Sequence, residues 1–167
     1  MDGSRKTRDE DLAERLQEYV YGTISTLVVI GALEGDELGR ADSATIVVIG
    51  TAVATWLAHS FAAIIGLHIR ERRPVRVDEM TDAFRGSWRI ITAALPATAL
   101  LILANMNTIS LRVALAMATL SGVVQLVWVG IFAAKRSEFS LLGVVAYAAT
   151  ATAIGLLIVA IEIAAFH

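Results

Sequence analysis

Five apolar runs, at residues 19–33, 44–69, 90–106, 111–134 and 141–166, constrain this chain more than any other feature. A helix needs about 20 apolar residues, in a range of roughly 17–25, to cross a hydrocarbon core ~30 Å thick. The second, fourth and fifth runs meet that length outright. The third meets it with Ser87 and Arg89 at the interface, and the first with Gln17 and Glu18 at the headgroup level. Inside a bilayer each backbone N–H and C=O must be satisfied by the chain itself, so runs of this kind fold as helices. The expected fold class is therefore all-α: a polytopic membrane protein with five transmembrane helices. Residues 1–18 form a cytosolic arm, helical from about Glu10. Residues 19–167 form one transmembrane domain, with a basic and amphipathic loop at 68–88.

Composition narrows the function. The chain is 56% hydrophobic and 18% charged, and whole segments lack the polar face that a soluble domain needs. A net charge of −2 supplies no basic field for nucleic acid. The absence of cysteine rules out disulfides, thiolate chemistry and Cys-based zinc sites. No nucleophile–base pair, phosphate loop or metal-ligand motif occurs, so neither enzymatic activity nor a cofactor is expected. The first eighteen residues mix acidic and basic groups and do not read as a secretory signal.

Orientation follows from where Lys and Arg fall. Arg5, Lys6, Arg8 and Arg15 precede the first run. Arg70, Arg72, Arg73, Arg76, Arg85 and Arg89 precede the third, and Lys135 and Arg136 the fifth. Only Arg40 and Arg112 remain for the other side. The bias places the N-terminus in the cytoplasm and the C-terminus outside, in a multi-pass protein of the cell membrane. Glu34, Asp36, Glu37 and Asp42 make an outward acidic turn without the spacing of a calcium loop.

In the cytoplasmic loop, Asp78 is placed to cap a short helix with Val77, Met80, Thr81 and Phe84 on one stripe. Arg70, Arg72, Arg73 and Arg76 are candidates for anionic lipid headgroups, a partner each basic residue can hold at about 1 kcal/mol. Topology alone explains the same arginines.

Buried ionisable groups are costly in a bilayer and mark the first places to look for function. His59 stands in TWLAHSFAAIIG, on a helix face with Thr51, Thr55, Ala62 and Gly66. Ten residues before Ile69, it lies about 15 Å from the boundary, near the midplane. No carboxylate is expected at that depth. Ser25 and Thr26 approach it from the first run, about 10–12 Å above Glu18, and offer a hydroxyl partner to the imidazole. An imidazole titrates near neutral pH, which suits a proton relay or cation ligand. A neutral, hydrogen-bonded histidine tying two helices together is the structural alternative. Secondary candidates are Glu18, Glu162 near the outer interface, and Gln125, which serves more often as interhelical glue. Pro96 should kink the third span. Small residues at four-residue spacing, such as Gly50/Ala54 and Ala58/Ala62, permit close helix contact within one chain or in a homodimer.

The run YGTISTLVVIGA resembles the first span of the CCC1/VIT iron–manganese transporters through Gly22, Ile24, Ser25 and Thr26. AHSFAAIIG is similar to that family's second span through Ala58, Phe61 and Gly66. The resemblance implies five spans, a cytosolic N-terminus and a dimer. Tyr21 and His59 stand where the family carries acidic residues, Ala63 where it carries a methionine, and the large acidic cytosolic insert is absent. Iron transport by the family's mechanism is therefore not implied.

The residues point to a small transporter or permease for a cation or proton, with His59, Ser25, Thr26, Thr55, Thr51 and Tyr21 lining the path. The competing class is a membrane assembly or regulatory protein with no flux of its own. It requires the polar face around His59 to be packed and dry.

Overall fold

The computed structural model describes residues 3–35, 40–136 and 153. Five helices follow one another: α1 (Gly3–Gly35), α2 (Ala41–Glu71), α3 (Val77–Gly86), α4 (Trp88–Asn105) and α5 (Leu111–Arg136). There is no strand among the described residues. Four stretches are long and apolar enough to cross a membrane: Leu12–Glu34, Ala41–Glu71, Val77–Asn105 and Leu111–Ala133. In the third, α4 is the apolar part, whereas α3 carries Asp78, Glu79, Asp82 and Arg85 among its ten residues and lies outside the span. The fifth expected span, 141–166, and Glu162 within it lie outside the described residues.

The beginning of the chain differs from expectation. Helix α1 starts at Gly3 rather than near Glu10 and passes through residue 18 without a break. Its apolar stretch counts from Leu12, so Glu18 lies inside the span, about 24 Å along the axis from Glu34. The reason is that Leu12 and Leu16 continue the apolar face of α1 below Glu18, although charged neighbours hide it in the linear sequence.

Helix α4 is central and packs against α1, α2 and α5. Its buried residues, Ile90, Ala93, Ala94, Ala97, Leu101 and Ala104, repeat at helical spacing, and four of them are alanine. Short side chains let neighbouring backbones approach, which is how helices associate where lipid removes the hydrophobic drive. Pro96 sits on the exposed side of α4, which continues as one helix through it.

Two glycines show how close the packing is. A Cβ on Gly22 would lie 2.7 Å from the Ile90 carbonyl oxygen and 2.8 Å from its Cα, so α1 and α4 touch backbone to backbone. A Cβ on Gly122 of α5 would lie 2.6 Å from Leu27 Cδ2. Polar groups brought into these contacts are satisfied locally. Thr23 donates to the Tyr19 carbonyl at 2.9 Å and Thr26 to the Gly22 carbonyl at 2.8 Å.

The two ends of the bundle differ. Where α1 and α4 finish and α2 and α5 begin, Ile30, Leu33, Val48, Leu101 and Leu115 close it with Ala44, Ala97, Ala104, Ala114 and Ala118. Asn105 donates to Thr45 Oγ1 at 3.0 Å and ties α4 to α2 there. Asn107 takes a left-handed φ of 55° in the turn before α5, a conformation asparagine tolerates better than most residues.

Gly22→Ala should destabilise the bundle by about 1–3 kcal/mol, the usual cost of overpacking, because backbone must move. Gly66→Ala meets nothing within 4 Å and should leave unfolding in detergent unchanged or slightly raised, alanine being the better helix former. Equal unfolding midpoints for the two variants would refute the backbone contact.

Candidate functional site

The opposite end of the bundle is polar and hollow. Glu14, Arg15 and Glu18 share one face of α1 at i, i+1 and i+4. On α2, His59, Ala63, Leu67 and Arg70 recur at i, i+4, i+8 and i+11. Helix α3 turns Glu79, Asp82, Ala83 and Gly86 towards them, and Ser87 and Arg89 begin α4. Together these residues line a cavity of about 790 Å3.

Helix α3 roofs this cavity because its two sides differ. The polar row at 79, 82 and 86 faces inward, while Val77 and Met80 are exposed on the other side. The expected apolar stripe is thus largely an outer surface, with Phe84 turned back towards Trp56, and with Thr81 lining one cleft with both. Trp56 of α2 donates its indole N–H to the Phe84 carbonyl at 3.0 Å. Its ring meets Phe84 and Trp88 edge-on, at centroid distances of 5.5 and 5.9 Å.

The N-terminal cap of α3 is Arg76, not Asp78 as expected. The Glu79 carboxylate reaches back to accept the Arg76 backbone N–H at 2.8 Å. Asp78 lies in the first turn and takes the Arg76 guanidinium at 3.2 Å instead. Arg72 ends α2 with a left-handed φ of 51°, and the His68 ring nitrogen Nδ1 meets the Arg73 carbonyl at 2.8 Å. Arg73 then clamps the two helices: its guanidinium gives Glu79 two bonds, at 3.1 and 2.5 Å, and also pairs with Glu71. Those contacts raise the Arg73 pKa and hold the Glu79 carboxyl down at about 2. Of the four lipid-headgroup candidates, Arg73 and Arg76 are occupied by carboxylates, Arg72 makes the turn, and Arg70 lines the cavity.

At the floor of the cavity, His59 Nε2 lies 3.8 Å from Glu18 Oε1. This is ion-pair distance, too long for a hydrogen bond. Glu18 is almost wholly buried, at 6% exposure, and Ser87, buried as well, sits beside it. The Tyr21 ring covers the imidazole from one turn further along α1, with centroids 5.9 Å apart and planes tilted by 37°.

In one respect the site differs from what depth along the sequence predicts. A carboxylate does stand opposite His59, because α1 carries Glu18 into the span and the Gly22 contact draws it towards α4. The expected hydroxyl–imidazole bond is absent for Thr26, whose hydroxyl is committed to its own helix. Ser25, Thr51 and Thr55 are half-buried and do not line the cavity. Gln125 accepts the Tyr19 hydroxyl at 2.5 Å, tying α5 to α1. Glu34 accepts from Thr119 and Asp42 pairs with Arg40, so both described ends of the acidic turn have partners.

No family model, curated protein or solved structure matches this chain. The site is accordingly read from its own chemistry. Glu18 and His59 supply two adjacent donors. No group of three or more His, Asp or Glu side chains able to hold a metal ion occurs among the described residues. What the pair offers is a carboxylate and an imidazole side by side in the wall of the cavity, the two commonest proton-handling groups in proteins.

Arg15, Arg85 and Arg89 were legible only as charges of the topology pattern, and Glu14 and Asp82 were missed. A signal did exist, in the i, i+4 spacing of Glu14 and Glu18 and in the polar row of α3 opposite its apolar stripe.

The Arg73–Glu79 clamp predicts a pH response. A carboxyl held at about 2 instead of its usual 4.5 stabilises the folded form above pH 4.5, and that contribution is lost as pH falls through 2. The Trp56–Phe84–Trp88 contact should therefore persist in acid down to about pH 3, read by tryptophan emission. Glu79→Gln should release it at neutral pH. Equal emission profiles for the two proteins would show that the clamp does not hold α3.

Proposed function

We propose that the protein is a small transporter or permease of the cell membrane for a proton or small cation, with Glu18 and His59 as the groups that receive it. The observation supporting this most directly is the cavity of about 790 Å3 that ends on that pair. A protein without flux gains nothing from a space with room for many waters against a buried carboxylate, and such a group is costly to keep in a span. At 3.8 Å the pair needs only a modest side-chain movement to reach hydrogen-bond distance, the geometry in which a proton passes between imidazole and carboxylate.

Beyond the pair, the apolar cluster of Ile30, Leu33, Val48, Leu101 and Leu115 closes the bundle. One open end and one sealed end fit a single state of an alternating-access cycle. We place the open end in the cytoplasm, because the Lys and Arg bias lies on that side, with a fifth span taking the C-terminus outside. Two copies would meet along α2, whose outward row Gly50, Ala54, Ala58 and Ala62 is exposed and built for close approach.

Reconstituted in liposomes, the protein should carry proton or cation flux, and Glu18→Gln or His59→Gln should each lower it by at least about tenfold. Arg112→Gln, at the sealed end, should match the parent. The chain contains no cysteine, so Ala63→Cys gives a single reporter in the cavity wall. It should label with a charged maleimide from the cytoplasmic face only. Flux of the parent protein no greater than that of empty liposomes, for protons and for mono- and divalent cations alike, would return the chain to the class of non-transporting assembly or regulatory proteins.

A further inference from the structure

Four guanidiniums open onto the cavity, each from a different element: Arg15 from α1, Arg70 from α2, Arg85 from α3 and Arg89 from α4. Only the tertiary fold brings them together. Among the described residues none of the four is ion-paired. Arg73 and Arg76, close by in sequence, are both taken by carboxylates. The acidic groups of the cavity match the four in number but do not pair with them. Glu79 is held by Arg73, which leaves Glu14, Glu18 and Asp82 on the cavity wall, none of them within ion-pair distance of the four. Unpaired guanidiniums on a concave surface with low-dielectric walls attract anions at short range.

Arg85 adds a second surface. It also lines an outward cleft of about 470 Å3 formed with Trp56, Thr81, Phe84 and Trp88. Trp88 is exposed on that side, at the level where indoles settle between headgroups and hydrocarbon. An anionic group held by Arg85 and its neighbours would therefore have an aromatic, lipid-facing wall immediately beside it.

We propose that Arg15, Arg70, Arg85 and Arg89 bind a phosphoryl group, presented by an anionic phospholipid whose chains lie over the Trp56–Phe84–Trp88 cleft or by free phosphate. Guanidinium forks match phosphate oxygens two at a time, and the four line one cavity from four different helices. The site shares its cavity with Glu18 and His59, but its test reads lipid and phosphate binding and does not depend on flux.

Full-length protein with Trp128→Phe, in neutral detergent, reports on the cleft through its two remaining indoles. It is titrated with phosphatidylglycerol bearing brominated chains, which quench indole on contact, and with the matching brominated phosphatidylcholine. Saturable quenching by the anionic lipid is expected at a concentration about tenfold lower than for the zwitterionic one. Arg85→Gln should weaken this preference and Arg85→Gln with Arg89→Gln abolish it, while Arg112→Gln leaves it intact. In a second arm, inorganic phosphate is added. Competition with the lipid, or a rise in unfolding temperature lost in the double variant, assigns the site to free phosphate as well. Lipid preference without any phosphate effect assigns it to the headgroup. A double variant that keeps the parent's lipid preference and phosphate response overturns the proposal, as does a parent protein showing neither.

Discussion

The backbone contact between Gly22 and Ile90 is the constraint from which the polar end of the molecule follows. With no side chain between them, α1 and α4 meet at a separation that any larger residue would forbid. One turn below that contact, Glu18 is drawn against the junction of α3 and α4, beside Ser87 and across from His59. One turn above it, Thr26 returns its hydroxyl to Gly22 and leaves nothing polar to share with the imidazole. A single close approach thus decides which partner His59 has.

The roof over the cavity rests on a different balance. No residue of α3 is buried, so packing alone would hold it weakly. It is fixed instead at both ends, by the Arg73 clamp at its start and by the Trp56 hydrogen bond at its close. Charge-assisted bonds with this bidentate geometry are among the stronger polar contacts available outside the membrane core. The inward row of Glu79, Asp82 and Gly86 is then presented to the cavity while the apolar row is left to the bilayer surface. Amphipathicity gives the helix its orientation, and the arginine gives it its place.

Much of this was legible in the chain beforehand. Four of the five apolar runs became membrane-length helices because their length and composition admit little else. His59 stood out because a polar ring in an apolar run is rare. Its partner could not be read. Sequence depth measured from run boundaries put Glu18 at the surface, since it stands among Glu14, Arg15 and Gln17, and only helix packing shows that its face turns inward. The same limit applied to the loop arginines. Linear sequence groups Arg70, Arg72, Arg73 and Arg76 as one basic patch, but the turn at Arg72 and the carboxylates of α3 send them to different surroundings. The cap was misplaced for a related reason, because Glu79 serves the Arg76 backbone and Arg73 at once, a double use that spacing rules do not encode.

The contrast between the two ends of the bundle has an electrical consequence. A cavity that admits water conducts, so a potential applied across the membrane does not fall evenly through the protein. In the proposed transporter it would fall across the tightly packed half, from the Glu18–His59 pair to the cluster around Leu101 and Leu115. A unit charge moving through that half alone would perform the full electrical work of crossing, about 2.3 kcal/mol per 100 mV, over a much shorter path. The field there would be correspondingly steep, and it would begin at the buried carboxylate.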